Sequence, residues 1–117
     1  MNEIKGDVLY IDHIIESVQM IEGYIAGVTC EVFCSNHMMY DAVIRNLQVL
    51  AESTQKISEI VKIQNPHIPW RDISGFRNIL VHDYLEGIDQ NAVWNIIKND
   101  LPDLKKQFKT IKSSLIK

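Results

Sequence analysis

Apolar residues recur at steps of three and four along almost the whole chain, and this spacing restricts the fold more than any other feature. It places apolar side chains on one face of an α-helix, whereas a half-buried strand needs alternation, and no alternating run of strand length occurs. The three longest stripes are Ile4, Val8, Ile11, Ile15, Val18 and Ile25; Met39, Val43, Leu47, Leu50, Ile57 and Val61; and Val93, Ile97, Leu101, Leu104, Phe108, Ile111 and Leu115. The sequence predicts an all-α fold, an up-and-down bundle of four to five helices.

Residues that start or stop helices mark the ends of the first two predicted helices. The first is predicted over residues 2–26 and ends near Gly27. The second is predicted to begin after a cap at Ser35, whose hydroxyl suits that position, and to continue to about Gln64.

Proline sets the limits of the remaining helices. The segment NPHIPW at 65–70 cannot continue a helix, because each of its two prolines lacks a backbone N–H and restricts the residue before it. A third helix is predicted over about 70–81, and a last helix begins after an Asp89 cap. Pro102 is expected to interrupt or kink that last helix.

Length and composition indicate the class of protein. The 117 residues, 46% of them apolar, suit one domain spanning 1–117. No apolar run is long enough to cross a bilayer, and the N-terminus lacks the basic-then-apolar pattern of a signal peptide. With two cysteines that suit a reducing compartment, we expect a cytoplasmic protein that does not associate with a membrane.

Cys30, Cys34 and His37 could in principle contact a metal ion. They offer only three ligands, and their spacing matches no common zinc pattern, so thiols that behave as small buried apolar groups are the favoured interpretation. We expect no metal site and no cofactor.

The net charge of −3 counts against a protein that binds nucleic acid through a broad positive field. The charge is unevenly distributed, because residues 98–117 contain six lysines and two aspartates. The favoured interpretation of this basic end is a solvated helix face.

The first two predicted helices each carry a second apolar edge, which a small bundle often buries in a symmetric dimer. These edges are Ile14, Ile21 and Val28 on one helix, and Met38, Ile44 and Ala51 on the other. The amount of apolar surface therefore predicts a homodimer.

Polar residues interrupt an apolar face in the stretch PWRDISGFRNILVHDYL, at 69–85. A histidine such as His82 can exchange a proton near neutral pH, and an arginine such as Arg77 can hold a phosphate and stabilise transition-state charge. The pair suits phosphodiester cleavage that needs no metal. The alternative, that these groups only cap a helix in a structural bundle, stays open on spacing alone.

The same stretch resembles the RX4HXY motif of the HEPN superfamily, in its HepT-like toxin branch. Arg77 matches the arginine, residues 78–81 the spacer, His82 the histidine and Tyr84 the tyrosine. Residues 68–84 and 41–53 resemble the same branch along their length, with Ala51 standing where glycine is common.

The resemblance implies a HEPN-like homodimer with the motif in a cleft between protomers. Arg77 and His82 would form a ribonuclease pair, in which His82 performs general acid–base catalysis on a ribose 2′-hydroxyl while Arg77 holds the scissile phosphate. The product would be a 2′,3′-cyclic phosphate. Asn78 would orient the site, and Arg45 and Arg71 would line the RNA cleft.

The resemblance also implies a partner. Tyr84 corresponds to the tyrosine to which an MntA-type nucleotidyltransferase antitoxin adds AMP, and the bulk and charge of AMP would repel an RNA phosphate. The chain would then be the toxin of a type VII-like toxin–antitoxin system. The alternative is a non-catalytic helical dimer that binds a nucleotidyltransferase or a nucleotide and cleaves nothing.

Overall fold

The computed structural model describes residues 2–76 and 90–116 of the chain, and within these ranges the secondary structure is helical, with no strand. The predicted all-α bundle is confirmed. Its elements are α1 (Asn2–Ile25), α2 (Cys30–Ser35), α3 (His37–Gln55), α4 (Glu59–Gln64), α5 (residues 70–76), α6 (Gln90–Asn95), a π-helical segment (Ile96–Asp100) and α7 (Leu101–Leu115).

The core forms where α1 packs along both α3 and α7. The apolar stripes predicted from the sequence supply it, because helical spacing turns each stripe toward the neighbouring helices. Its most deeply buried members include Ile11, Ile14, Val18 and Ile21 of α1, Val43, Leu47 and Leu50 of α3, and Leu101 and Phe108 of α7. Ile4, by contrast, is 47% exposed.

The prediction that the second helix continues to Gln64 was wrong. α3 ends at Gln55, and α4 begins at Glu59 after Ser58. The Asp7 carboxylate on α1 accepts hydrogen bonds from the Ser58 backbone N–H (2.7 Å) and the Ser58 hydroxyl (2.6 Å). Because Asp7 is only 3% exposed, it serves as a buried cap for α4 and fixes the break.

The turn between the first two long helices contains α2, a helix that the stripes did not predict. Gly27 adopts a left-handed conformation (φ 72°) just after α1, which confirms the predicted end of the first helix. The Thr29 side chain then accepts the Val32 N–H at 3.2 Å and starts α2.

Asn36, rather than the predicted Ser35, caps α3. The Asn36 side-chain oxygen accepts the Met39 N–H at 3.0 Å. Ser35 is instead the last residue of α2, and its hydroxyl donates back to the Glu31 carbonyl at 3.0 Å. Both residue types can cap a helix, so the sequence alone could not place the start to within one residue.

The predicted interruption at Pro102 is confirmed, and it takes the form of the π-helical segment. The Leu101 N–H donates to the Ile96 carbonyl, five residues earlier. Pro102 has no N–H, and its ring would clash with the Lys98 carbonyl in a regular α-helix, so the wider turn relieves that clash. The predicted Asp89 cap lies outside the described residues.

Most of the two apolar edges that suggested a dimer surface are not free. Ile14, Ile21, Ile44 and Ala51 are buried within the chain's own core, so their interpretation as dimer surface was wrong, whereas Met38 is 85% exposed. Other exposed large apolar residues in the described ranges include Leu9, Met20, Tyr24, Ile60 and Ile63. Among the described residues, no helix combines the length and the apolar character needed to span a membrane.

Candidate functional site

The four motif residues Arg77, Asn78, His82 and Tyr84 lie outside the described residues, as does the whole segment 77–89. The structure describes the two elements that flank this segment, α5 before it and α6 after it. These flanks, together with Arg45 and Arg71, are the described surroundings of the predicted site.

The entry to the motif is anchored at the start of α5. The Trp70 indole N–H donates to the Asn65 carbonyl at 2.9 Å, and the Trp70 ring meets Phe108 of α7 edge to face at 5.6 Å. Ile73, buried in the core, donates its N–H to the Pro69 carbonyl at 3.0 Å, which closes the first turn. The predicted helix start after Pro69 is confirmed, and α5 is fixed against α7.

The exit from the motif is anchored at the start of α6 by residues of α2. The Cys30 thiol donates to the Asn91 side-chain oxygen at 3.3 Å. The Phe33 ring, buried in the core, packs 5.2 Å from the Trp94 ring, which also carries the Lys98 ammonium group over it at 5.6 Å. Nothing in the sequence pattern links α2 to α6, so sequence reasoning missed the role of Asn91.

The two cysteines take part in this anchor. Their sulfur atoms lie 3.9 Å apart, and both side chains are half-buried. No group of three or more His, Cys, Asp or Glu side chains that could hold a metal occurs in the described ranges, so His37 does not complete a ligand set there. The cysteines act as a hydrogen-bonding contact to α6.

A cleft of about 390 Å³ lies between the N-terminal part of α5 and the helical segment around the start of α7. Its polar lining comprises His67, Asp72, Asn99, Asp100, Asp103 and Gln107. Three carboxylates make this cleft unfavourable for a phosphate group. The cleft is therefore a poor candidate for binding RNA. The apolar stripes in the sequence did not predict a cleft at this position.

Arg45 and Arg71, the predicted cleft-lining residues, are both exposed. Arg45 borders a shallow depression of about 120 Å³ with Gln48, Val49 and Glu52 of α3. Arg71 lies in the first turn of α5, six residues before the motif arginine. Neither guanidinium group is ion-paired with a described residue, and nothing in the described part of the chain joins them in one site.

The basic C-terminal end is partly structural. Lys105 pairs with Glu22 at 2.5 Å, and Lys112 pairs with Asp12 at 2.7 Å, so both lysines fasten α7 to α1. Lys106 and Lys109 are exposed. The interpretation of this end as a solvated face therefore holds for those two residues and not for the two that bridge to α1.

Comparison with known proteins gives a consistent result. The family model described as Ribonuclease HepT-like matches residues 14–111. A Methanocaldococcus jannaschii protein named Putative RNase is 33% identical over 92% of this chain and 98% of its own length. A Thermococcus cleftensis protein named Probable ribonuclease HepT is 32% identical over 88% of this chain and 93% of its own length.

A longer relative shows the same similarity over part of its length. A second M. jannaschii protein, named Gamma-glutamylcyclotransferase and putative RNase, is 32% identical over 93% of this chain, and the match covers 49% of that protein. The chain thus spans about half of that relative. No solved structure gives a significant match.

Proposed function

The chain belongs to the ribonuclease HepT-like family, and from this premise we propose that it is an endoribonuclease that cleaves RNA without needing a metal ion. The observation that carries the proposal is that the family match, residues 14–111, includes the RX4HXY motif at 77–84 and both of its flanks. Residues 1–117 would form one such domain.

The motif supplies the two functions that this chemistry needs. His82 removes the proton from a ribose 2′-hydroxyl, which attacks the adjacent phosphorus while the 5′-oxygen leaves with a proton. Arg77 holds the phosphate and stabilises the charge that builds in the transition state, and Asn78 orients the pair. The products are a 2′,3′-cyclic phosphate and a 5′-hydroxyl. Because the nucleophile is the 2′-hydroxyl, DNA is not a substrate.

The anchored flanks support this proposal physically. A catalytic pair must be held in a narrow range of geometry, and a displacement of about 1 Å can cost about 100-fold in rate. Trp70 fixes the chain seven residues before Arg77, and Asn91 fixes it seven residues after Tyr84. The described elements on both sides of the motif segment are thus held by side-chain contacts.

We also propose the biological setting that the family resemblance implies. The protein would act in the cytoplasm as a homodimer, as the toxin of a type VII-like toxin–antitoxin system. Its partner would be an MntA-type nucleotidyltransferase that adds AMP to Tyr84 and so blocks the approach of RNA. Arg45 and Arg71 would contribute positive charge to the RNA cleft.

The test of the nuclease is RNA cleavage by purified protein in the presence of EDTA. The wild-type protein should release fragments ending in 2′,3′-cyclic phosphate, and His82→Ala should lose at least about 100-fold in rate with unchanged helix content. His37→Ala, which alters an exposed histidine at the start of α3, is the matched control and should cleave normally. Equal cleavage by wild type and His82→Ala would remove His82 from the mechanism.

The test of the partner is co-expression with a cognate nucleotidyltransferase, followed by mass spectrometry. The peptide that contains Tyr84 should gain one or more AMP units, and Tyr84→Phe should gain none. Tyr24→Phe, at a partly exposed tyrosine on α1, should leave the modification intact. An unmodified Tyr84 peptide in the presence of an active nucleotidyltransferase would exclude this role. If the protein also leaves RNA intact, the non-catalytic binding alternative would be favoured.

A further inference from the structure

The two cysteines of the chain lie together on the short helix α2, against the start of α6. Their sulfur atoms are 3.9 Å apart, and the Asn91 side-chain oxygen lies 3.3 Å from the Cys30 sulfur and 4.0 Å from the Cys34 sulfur. Both side chains are half-buried thiols, so a small oxidant in solution can reach them. The two thiols therefore face the same acceptor on α6.

This polar contact between α2 and α6 depends on the thiol form of the cysteines. A thiol can donate its S–H to an oxygen, whereas a disulfide has no hydrogen to donate. Joining Cys30 to Cys34 would therefore remove both hydrogen bonds to the Asn91 oxygen in a single step. The oxidation state of the pair thus determines whether this contact exists.

A disulfide between these two positions would be strained. Residues four apart on an α-helix have Cβ atoms about 5–6 Å apart, whereas a disulfide brings its two Cβ atoms to about 3.5–4.5 Å. α2 has only six residues, so few backbone hydrogen bonds resist the distortion that this closure needs. Strained disulfides are easily reduced, and those of cytosolic proteins are usually transient. The pair therefore suits a reversible cross-link.

Phe33 connects a distortion of α2 to α6. It stands between the two cysteines in the sequence and is 0% exposed, and its ring packs 5.2 Å from the Trp94 ring of α6 and 5.4 Å from the Tyr40 ring of α3. Because a protein core is close-packed, a backbone shift at Phe33 has to move this ring or its neighbours. The ring contact and the thiol contacts to α6 both originate in the segment that a disulfide would distort.

We propose that Cys30 and Cys34 form a redox switch, in which a peroxide oxidises them to a disulfide that loosens α6 from α2 and slows RNA cleavage. Hydrogen peroxide gives one oxygen atom to the first thiol, which becomes a sulfenic acid and releases water. The second thiol attacks that sulfur, so that the S–S bond forms and a second water leaves. The two thiols lose two hydrogen atoms in all, and dithiol reductants return them.

The effect on cleavage rests on the proposed ribonuclease function and deepens it as regulation of the same site, whereas the oxidation and the loosening of α6 do not depend on it. α6 begins at Gln90, six residues after Tyr84 in the sequence. A catalytic pair tolerates little displacement, so a shift of the flank that follows it should lower the rate.

The first measurement follows the oxidation and α6 without any RNA. Peptide mass spectrometry of the purified full chain after treatment with hydrogen peroxide should show Cys30 and Cys34 joined within one chain. A Trp70→Phe background leaves Trp94 as the remaining one of the two tryptophans. Its fluorescence emission should shift to longer wavelength on oxidation, because separation from Phe33 lets water reach the ring. Dithiothreitol should reverse both changes.

The second measurement compares RNA cleavage by the reduced and the oxidised protein in EDTA, after catalase has removed the peroxide. Oxidation should lower the rate by about tenfold or more, and dithiothreitol should restore it. The matched control is the double variant Cys30→Ser/Cys34→Ser, whose hydroxyls can still donate to Asn91 and whose rate should not change on treatment. It keeps the four methionines, so damage at methionine, which dithiothreitol does not repair, would appear in the control as well.

Failure of this inference and failure of the proposed function give different results. A wild-type protein that forms no disulfide, or that joins two chains instead, would overturn the inference, as would oxidation that leaves the Trp94 emission unchanged. If the oxidised protein cleaves RNA as fast as the reduced one, only this inference fails. If neither form cleaves RNA while Trp94 responds to oxidation, the nuclease proposal fails and the redox coupling of α2 to α6 remains supported.

Discussion

The pair of long helices and the two flanks of the motif are held in different ways. α1 and α3 pack through continuous stripes of aliphatic residues, among them Ile14 and Leu47, that are almost wholly buried. α5 and α6 are each positioned by an aromatic ring and a side-chain hydrogen bond. We therefore expect stability to reside mainly in the long helices, and the positions of the two flanks to depend on a few side chains.

The largest effect on stability should follow from a cavity between the long helices. Leu50 is wholly buried on α3, and Leu50→Ala should lower the free energy of unfolding by about 2–5 kcal/mol, since it removes apolar burial and leaves a void. Urea denaturation followed by circular dichroism measures this. Met38→Ala, at a residue that is 85% exposed, should change it by less than about 0.5 kcal/mol. Equal effects would show that the core does not lie between α1 and α3.

The second largest loss of stability should follow from removing the hydrogen bonds between Asp7 of α1 and Ser58. Asp7→Ala removes the acceptor of two Ser58 hydrogen bonds and leaves a partly buried N–H without its partner, so we expect a loss of about 1–3 kcal/mol. Asp12→Ala is the matched control on the same helix, because Asp12 forms only a partly exposed ion pair with Lys112. It should cost less than about 1 kcal/mol. If the two variants unfold alike, Asp7 does not set the break between α3 and α4.

That break shows what the sequence could and could not reveal about the fold. The stripe through Leu50, Ile57 and Val61 correctly predicted which residues are buried, because burial follows local periodicity. It misled the prediction of continuity, because no glycine or proline marks the end of α3. The cause is a contact with Asp7, 51 residues earlier in the chain, and no local pattern reports a contact of that range.

The candidate site likewise has parts that the sequence predicted and parts that it did not. The motif was identified from a resemblance carried by consecutive residues, and the family match supports it. Arg45 and Arg71 are exposed, and their contact with RNA stays a prediction. The anchors of the motif were missed, because the contact of Asn91 with Cys30 joins residues 61 positions apart. Local sequence identifies chemical groups, and the tertiary structure determines what holds them.

Substitutions in the flanks should lower the cleavage rate more than they lower stability. Trp70→Phe keeps an aromatic ring near Phe108 but removes the donor to the Asn65 carbonyl, which should cost about 1 kcal/mol of stability. We expect the cleavage rate to fall about tenfold, because the motif begins seven residues later and tolerates little displacement. Single-turnover RNA cleavage, normalised to folded protein, measures this.

Trp94, which packs on the other flank of the motif, provides the control for Trp70. Trp94→Phe keeps a ring against Phe33 on the exit side and should reduce cleavage less. A Trp70→Phe enzyme with full activity and lower stability would show that the entry contact serves the fold alone, and the contrast between the two regions would then disappear.

The smallest effect should come from the ion pair between α7 and α1. The side chains of Lys105 and Glu22 are 21% and 34% exposed, so solvent screens their attraction and the pair should contribute about 0.2–1 kcal/mol. A double-mutant cycle with Lys105→Ala and Glu22→Ala measures the coupling, which should shrink as salt is added. Lys106→Ala, at the neighbouring exposed lysine, should have no measurable effect on stability. A coupling that exceeds the Leu50→Ala loss would mean that charge, rather than apolar packing, holds the long helices together.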